Sequence, residues 1–200
     1  MPSPAPAGPV RLVLFTRYPT PGEAKTRLIP AIGAEAAAAV HRRLSERTVA
    51  SLRAAGMPVE IRFTGAGIAD FEQWLGAGPV LVPQPQGGLT ERLIDAINPC
   101  PVIFFGADTP DLEPRHIAAA VAALSRSDVV IGPAADGGYY LIGLRRPLAY
   151  LFDAMPWSTD RVVHETCRRL AERDIRPELL ETLHDCDTPE DLSRWPWLLP

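Results

Sequence analysis

Disulfide chemistry has little to work with in this chain. Its three cysteines, Cys100, Cys167 and Cys186, are odd in number and none stands in a C-x-x-C pair, so neither a disulfide framework nor a thiolate zinc site can be read from them. The four histidines are isolated from one another. A reducing cytoplasm is the expected setting. Long apolar runs are missing too: no stretch reaches bilayer-spanning length, and the opening MPSPAPAGP lacks the charged start and apolar core of a signal peptide. No membrane partner is expected, and residues 1–9 are expected to form a disordered tail. Basic runs are also absent. Lys and Arg are scattered and the formal charge is only -4, which gives no electrostatic grip on a nucleic-acid backbone and points to a small-molecule partner.

What the chain has is apolar content, 46% of its 200 residues, enough for one well-buried core and a single domain over residues 10–200. From Val10, VRLVLFT reads as a strand, a Pro- and Gly-punctuated loop runs to Ile32, and GAEAAAAVHRRLSERTVASLRAAG is a helix stopped at Gly56. VEIRFTG and PVLVP read as strands, and DFEQWL and TERLIDAI as short helices. PVIFFGAD, a helix from Pro114 to Arg126, and DVVIGP continue the alternation. Such alternation implies right-handed crossovers and a mostly parallel sheet covered on both faces. After Asp136 the rhythm changes to GGYYLIGL as a strand, STDRVVHETCRRLAER as a helix and PELLETLHDCD as a late strand, which predicts a mixed sheet with an antiparallel addition.

Open α/β sheets bind ligands beyond the carboxyl ends of their strands, so polar residues that follow apolar strands carry the most information. After the first strand, Arg17, Gly22, Lys25 and Arg27 combine a tight turn with three cations. That suits a phosphate site, against the plainer reading of a solvated turn. The G-K-[ST] adjacency of a Walker A loop is missing. Asp108 follows PVIFF after only Gly106 and Ala107; a carboxylate there needs a partner, and a divalent cation is one. Pro114 makes Glu113, not Asp108, the helix entrance.

Asp187 opens a second D-T-P phrase whose Thr188, Pro189, Glu190 and Asp191 form a helix start. It reads first as a cap, although Asp185 or Asp187 is also placed to complete a metal site with Asp108. Asp136, Gly137, Gly138, Tyr139 and Tyr140 read as a turn into a strand, with a ligand-facing role beside it. Trp157, Ser158 and Thr159 read as an apolar residue ahead of a capped helix, with an acceptor-side role as the alternative. Gln86 to Arg92 is a weak candidate for contact with a base or phosphate.

Taken together, FTRYPTPGEAKTRL, GADTPDL, GPAADGGYYLIGL, PWST and DCDTPEDL, in that order, resemble a bacterial family of uncharacterised GT-A-like transferases. These are relatives of phospholactate guanylyltransferase and of the molybdenum-cofactor nucleotidyltransferases. The resemblance implies a Rossmann-like three-layer sandwich and a magnesium- or manganese-dependent transferase. It places nucleotide phosphates on Gly22, Lys25 and Arg27 and a divalent metal on Asp108; the residues themselves add Arg17, Gln86 and Arg92 to the nucleotide side, with catalytic roles on Lys25, Arg27 and Asp108. Metal falls to Asp108 and Asp187, and the acceptor to Asp136, Gly137, Gly138, Tyr139 and Trp157. Nucleotidyl transfer from a nucleoside triphosphate to a small, phosphorylated acceptor is narrowly preferred. Sugar transfer from a nucleotide sugar and a non-catalytic nucleotide-binding module are the alternatives, and a homodimer is left open. Thr90 stands where relatives often have glycine, and no D-x-D is present at Asp108.

Overall fold

Apolar residues on successive strand positions divide between two faces, and the fold follows from that division. The computed structural model describes residues 8–200; of the expected tail, residues 1–7 lie outside the described residues. The strands are β1 (Arg11–Arg17), β2 (Val59–Thr64), β3 (Val80–Pro83), β4 (Val102–Phe105), β5 (Val129–Pro133), β6 (Tyr139–Leu144) and β7 (Glu178–Leu179). The helices are α1 (Ile29–Ile32), α2 (Ala34–Ala54), α3 (Ile68–Leu75), α4 (Leu89–Ala96), α5 (Pro114–Leu124), α6 (Val162–Ala171) and α7 (Pro189–Leu192). Among the described residues no helix is long and apolar enough to cross a membrane.

The sheet order is β3-β2-β1-β4-β6-β5-β7. All pairs are parallel except the two made by β6, which runs antiparallel between β4 and β5. Leu12 and Leu14 of β1 join one apolar layer with Val49 and Leu52 of α2, Phe71 of α3 and Ile117 of α5. Val13 faces the opposite layer with Leu93 of α4, Phe104, Ile142 and Leu170 of α6. The result is a three-layer α/β sandwich. Sequence and structure agree at two boundaries: Gly56 closes α2 at φ +67°, and Pro114 is the first residue of α5 behind Glu113.

Three expectations need correction. The late strand is only two residues long, with one further bridge from Leu183 to Ala134, because the chain leaves the edge of β5 to run towards the end of β4. Helix α6 starts at Val162 without a side-chain cap. Thr159 instead donates to the Pro156 carbonyl at 2.7 Å, so a turn separates Trp157 from the helix. The loop after β1 also contains a short helix, α1, with Pro30 in its first turn.

A smaller apolar cluster decides where the chain ends up. Leu28, Val40, Leu44, Cys186, Leu192, Trp195 and Leu198 pack together. Leu28 and Leu198 are wholly buried, and full burial of such a side chain is worth about 1.5–3 kcal/mol. This cluster pins the segment around Cys186 against the loop that follows β1.

Candidate active site

The carboxyl ends of β1, β2, β3 and β4 open onto a cleft of about 480 Å³, within the usual size of small-molecule sites. Its walls include Arg17, Lys25, Arg27, His41, Gln84, Arg92, Asp108 and Asp187. The loop from β1 turns at Gly22, whose φ of +86° would strain any side chain. Buried Ala24 and Leu28 hold the loop down, and the Arg17 guanidinium donates to the Glu23 carbonyl across it. Lys25 is left-handed at φ +47°, an uncommon and costly conformation for a residue with a β-carbon.

The Lys25 side chain, 5% exposed, lies between two carboxylates: Nζ is 2.5 Å from Asp108 Oδ1 and 2.7 Å from Asp187 Oδ1. Nζ also donates to the Cys186 carbonyl at 2.7 Å. Burial opposes the ammonium charge, but the two carboxylates outweigh it and hold the lysine above its ordinary pKa. Burial likewise opposes the charge on Asp108, and Lys25 overcomes it, so that carboxyl titrates below its usual range. The backbone ties the same pieces together, since Cys186 N–H donates to the Asp108 carbonyl at 2.8 Å. Thr109 donates to Asp185 at 2.5 Å. Burial first, then the charges of Asp108, Asp136 and Asp187, push the Asp185 carboxyl up to about 7. The corner therefore holds more negative charge than Lys25 alone balances.

His41 and Gln84 are cleft residues that were not singled out from sequence. His41 of α2 is buried, and its Nε2 lies 3.0 Å from the Arg17 carbonyl. A carbonyl only accepts, so Nε2 carries the hydrogen. Burial lowers the pKa of the imidazole against the pull of Asp108. Gln84, directly after β3, donates from Nε2 to the carbonyls of Arg62 at 2.8 Å and Thr16 at 3.2 Å. With both amide hydrogens used, its oxygen is left for the cleft. The signals were present: His41, Ser45 and Thr48 are polar residues on the buried stripe of α2, and Gln84 obeys the same strand-end rule as Asp108.

The structure brings Arg17, Lys25, Arg27, Arg92, Asp108 and Asp187 to one cleft; Gly22 and Gln86 do not line it. The acceptor-side residues lie apart from that lining as well. Asp136 accepts from Gly138 N–H at 2.9 Å in the β5–β6 turn. A β-carbon at Gly137 would fall 2.2 Å from the Asp160 carbonyl oxygen, so this glycine allows the chain entering α6 to approach closely. Tyr139 packs edge-on against Trp157 with ring centres 6.2 Å apart, and its hydroxyl is buried. The Trp157 indole donates to Thr90 at 2.9 Å, which gives the unexpected threonine a structural use.

Residues 48–159 match the sequence profile of the family described as "Uncharacterized protein conserved in bacteria (DUF2064)". The chain belongs to this family. No curated protein matches the sequence. The DUF2064 chain shares its fold with a Desulfovibrio desulfuricans protein assigned as a nucleotide-diphospho-sugar transferase, at TM-score 0.86 and 29% identity, over 92% of this chain and 84% of that one. More distant is CMP:2-keto-3-deoxy-manno-octonic acid synthetase in complex with CTP, at TM-score 0.55 and 16% identity, covering 94% and 96% of the two chains. The Rv0371C protein of Mycobacterium tuberculosis, in complex with manganese, has TM-score 0.54 and 15% identity, covering 94% and 97%. The fold is thus the GT-A-like Rossmann fold of nucleotide-diphospho-sugar transferases.

Among the described residues of this DUF2064 protein, no group of three or more His, Cys, Asp or Glu is arranged to hold a metal. Two carboxylates do converge on one point, and both remain about 40% exposed, at 42% and 38%. That donor set fits magnesium or manganese, which need one or two carboxylates when phosphates and water complete the shell.

Proposed function

We propose that this chain is a divalent-metal-dependent, nucleotide-using transferase, carried by residues 10–200 as one domain, which moves a nucleotidyl group from a nucleoside triphosphate to a small acceptor. The observation that carries the reading is the meeting of Asp108 and Asp187 at a single point on the wall of a cleft that also presents Arg17, Arg27 and Arg92. Asp108 and Asp187 would hold a magnesium or manganese ion, which would supply positive charge to offset that of the phosphates. Arg27, exposed on the loop after β1, and Arg92 on α4 offer forked donors to the remaining phosphate oxygens. Charge that develops on a departing pyrophosphate would meet guanidinium groups already in place. Gln84 presents an acceptor oxygen to the cleft, suited to a nucleobase N–H.

On this reading the kinship extends to phospholactate guanylyltransferase and the molybdenum-cofactor nucleotidyltransferases. The CTP-bound synthetase with the same fold supports nucleotidyl transfer, and the manganese-bound relative supports the metal. Sugar transfer is the second reading, favoured by the assignment of the 29% identical relative. The deciding experiment is a thermal-shift screen of nucleoside triphosphates and nucleotide sugars with and without magnesium, followed by product analysis with candidate acceptors. A ligand that binds only the native state raises its melting temperature. Pyrophosphate as the by-product supports nucleotidyl transfer, and a nucleoside diphosphate supports sugar transfer. If no nucleotide stabilises the chain with metal present, both readings fail.

A further inference from the structure

We infer that Lys25 is a tethered counter-ion standing in the cation position between Asp108 and Asp187, so that a divalent metal gains these carboxylates only after an anionic ligand draws the ammonium away. The inference rests on the proposed role of the two aspartates and adds an order of events to it. The Lys25 ammonium donates to Asp187 and to the Cys186 carbonyl and forms a close ion pair with Asp108 at 2.5 Å, so all three of its neighbours are oxygens that a metal could also claim or replace. The cation lies behind the carboxylates, 5% exposed, while the carboxylates themselves face the cleft at 42% and 38%. An incoming metal would share their oxygens with a positive charge in direct contact, and at short range in a poorly screened site that repulsion is large. These contacts hold a residue whose backbone is left-handed, at φ +47°. Such strain persists only where surrounding contacts over-determine it, so releasing the side chain favours a rearranged loop. Arg17, Arg27 and Arg92 line the cleft beside it and provide the landing place for the anion that Lys25 would follow. Metal and nucleotide would then bind cooperatively, each favouring the state the other requires.

The test is manganese binding, read by electron paramagnetic resonance of the free ion, without nucleotide. Wild type, Lys25→Met and Lys25→Arg are compared at one pH and salt concentration, with folding confirmed by circular dichroism. Lys25→Met should bind manganese at least tenfold more tightly than wild type, and Lys25→Arg, which keeps a cation, should stay close to wild type. Equal or weaker binding by folded Lys25→Met overturns the inference. The proposed function survives that result if wild type takes up manganese together with a non-hydrolysable nucleoside triphosphate analogue, and fails if no variant binds manganese under either condition. Wild-type crystals give a second measurement that does not depend on the variant folding. Soaked in manganese alone, they should keep Nζ on both carboxylates; with manganese and the analogue, Nζ should have left both. An ion on Asp108 and Asp187 with Nζ unmoved overturns the inference.

Discussion

Asp108-Thr109-Pro110 and Asp187-Thr188-Pro189 spell the same three residues, yet the backbone uses them differently. In the first phrase the aspartate leaves a fully buried strand, β4, and the threonine, 3% exposed, turns its hydroxyl to Asp185. The helix that follows begins only at Pro114, so Asp108 has no capping duty. In the second phrase the helix begins at once. Thr188 accepts from Asp191 N–H at 3.3 Å, and Asp191 accepts from Thr188 N–H at 2.9 Å, a reciprocal cap. Because Thr188 does the capping, Asp187 is free to reach Lys25. The difference teaches that an aspartate is released for chemistry when a neighbour takes over the local backbone hydrogen bonds.

Removing both aspartates should break the comparison most severely. In Asp108→Asn/Asp187→Asn, Lys25 keeps its burial and loses both counter-charges, and an unpaired buried charge costs about 3–5 kcal/mol. Urea unfolding should show a loss of that size; less than about 1 kcal/mol would mean that Lys25 finds water or another partner. The single changes sharpen the comparison. Each leaves one carboxylate on Lys25, so each should cost only about 1–3 kcal/mol. Both should nonetheless weaken manganese binding in the presence of nucleotide by tenfold or more, as measured by calorimetry.

A smaller effect separates the two threonines. Thr188→Ala should lower stability by about 1 kcal/mol, as for a lost cap, with manganese affinity unchanged. A matching loss of manganese affinity would show that the cap and the site are not independent. Smallest should be Asp111→Asn. Asp111 accepts the Trp195 indole N–H at 3.1 Å, and an amide oxygen can still accept it, so thermal unfolding should shift by no more than about 0.5 kcal/mol.

The layered fold was legible because strand-length apolar runs alternate with helical patterns, and fully buried strands such as VIFF leave little ambiguity. That Asp108 would line the cleft was legible by position alone. The convergence of Lys25 with Asp108 and Asp187 was not, since Lys25 read as a phosphate ligand, and nothing local says that its neighbours in space are carboxylates 162 residues away in the case of Asp187. PELLETLHDCD misled through its alternation: Leu180 and Leu183 do meet the apolar layer, but the segment departs from the sheet edge after one short pairing. His41 was hidden within an Ala-rich helix, where a polar residue on the buried face is visible only once the face is known. Gln84 was passed over for Gln86, two positions further along the same loop.

The tie between the loop after β1 and the segment around Asp187 also bears on how the molecule is made. A ribosome delivers Lys25 162 positions before Asp187, and closing so long a loop costs more chain entropy than closing a local contact. Until it forms, the emerging protein holds Asp108 and the guanidinium groups but lacks the second carboxylate. The corner with both carboxylates is therefore completed only after the segment around Cys186 has docked against the loop that follows β1.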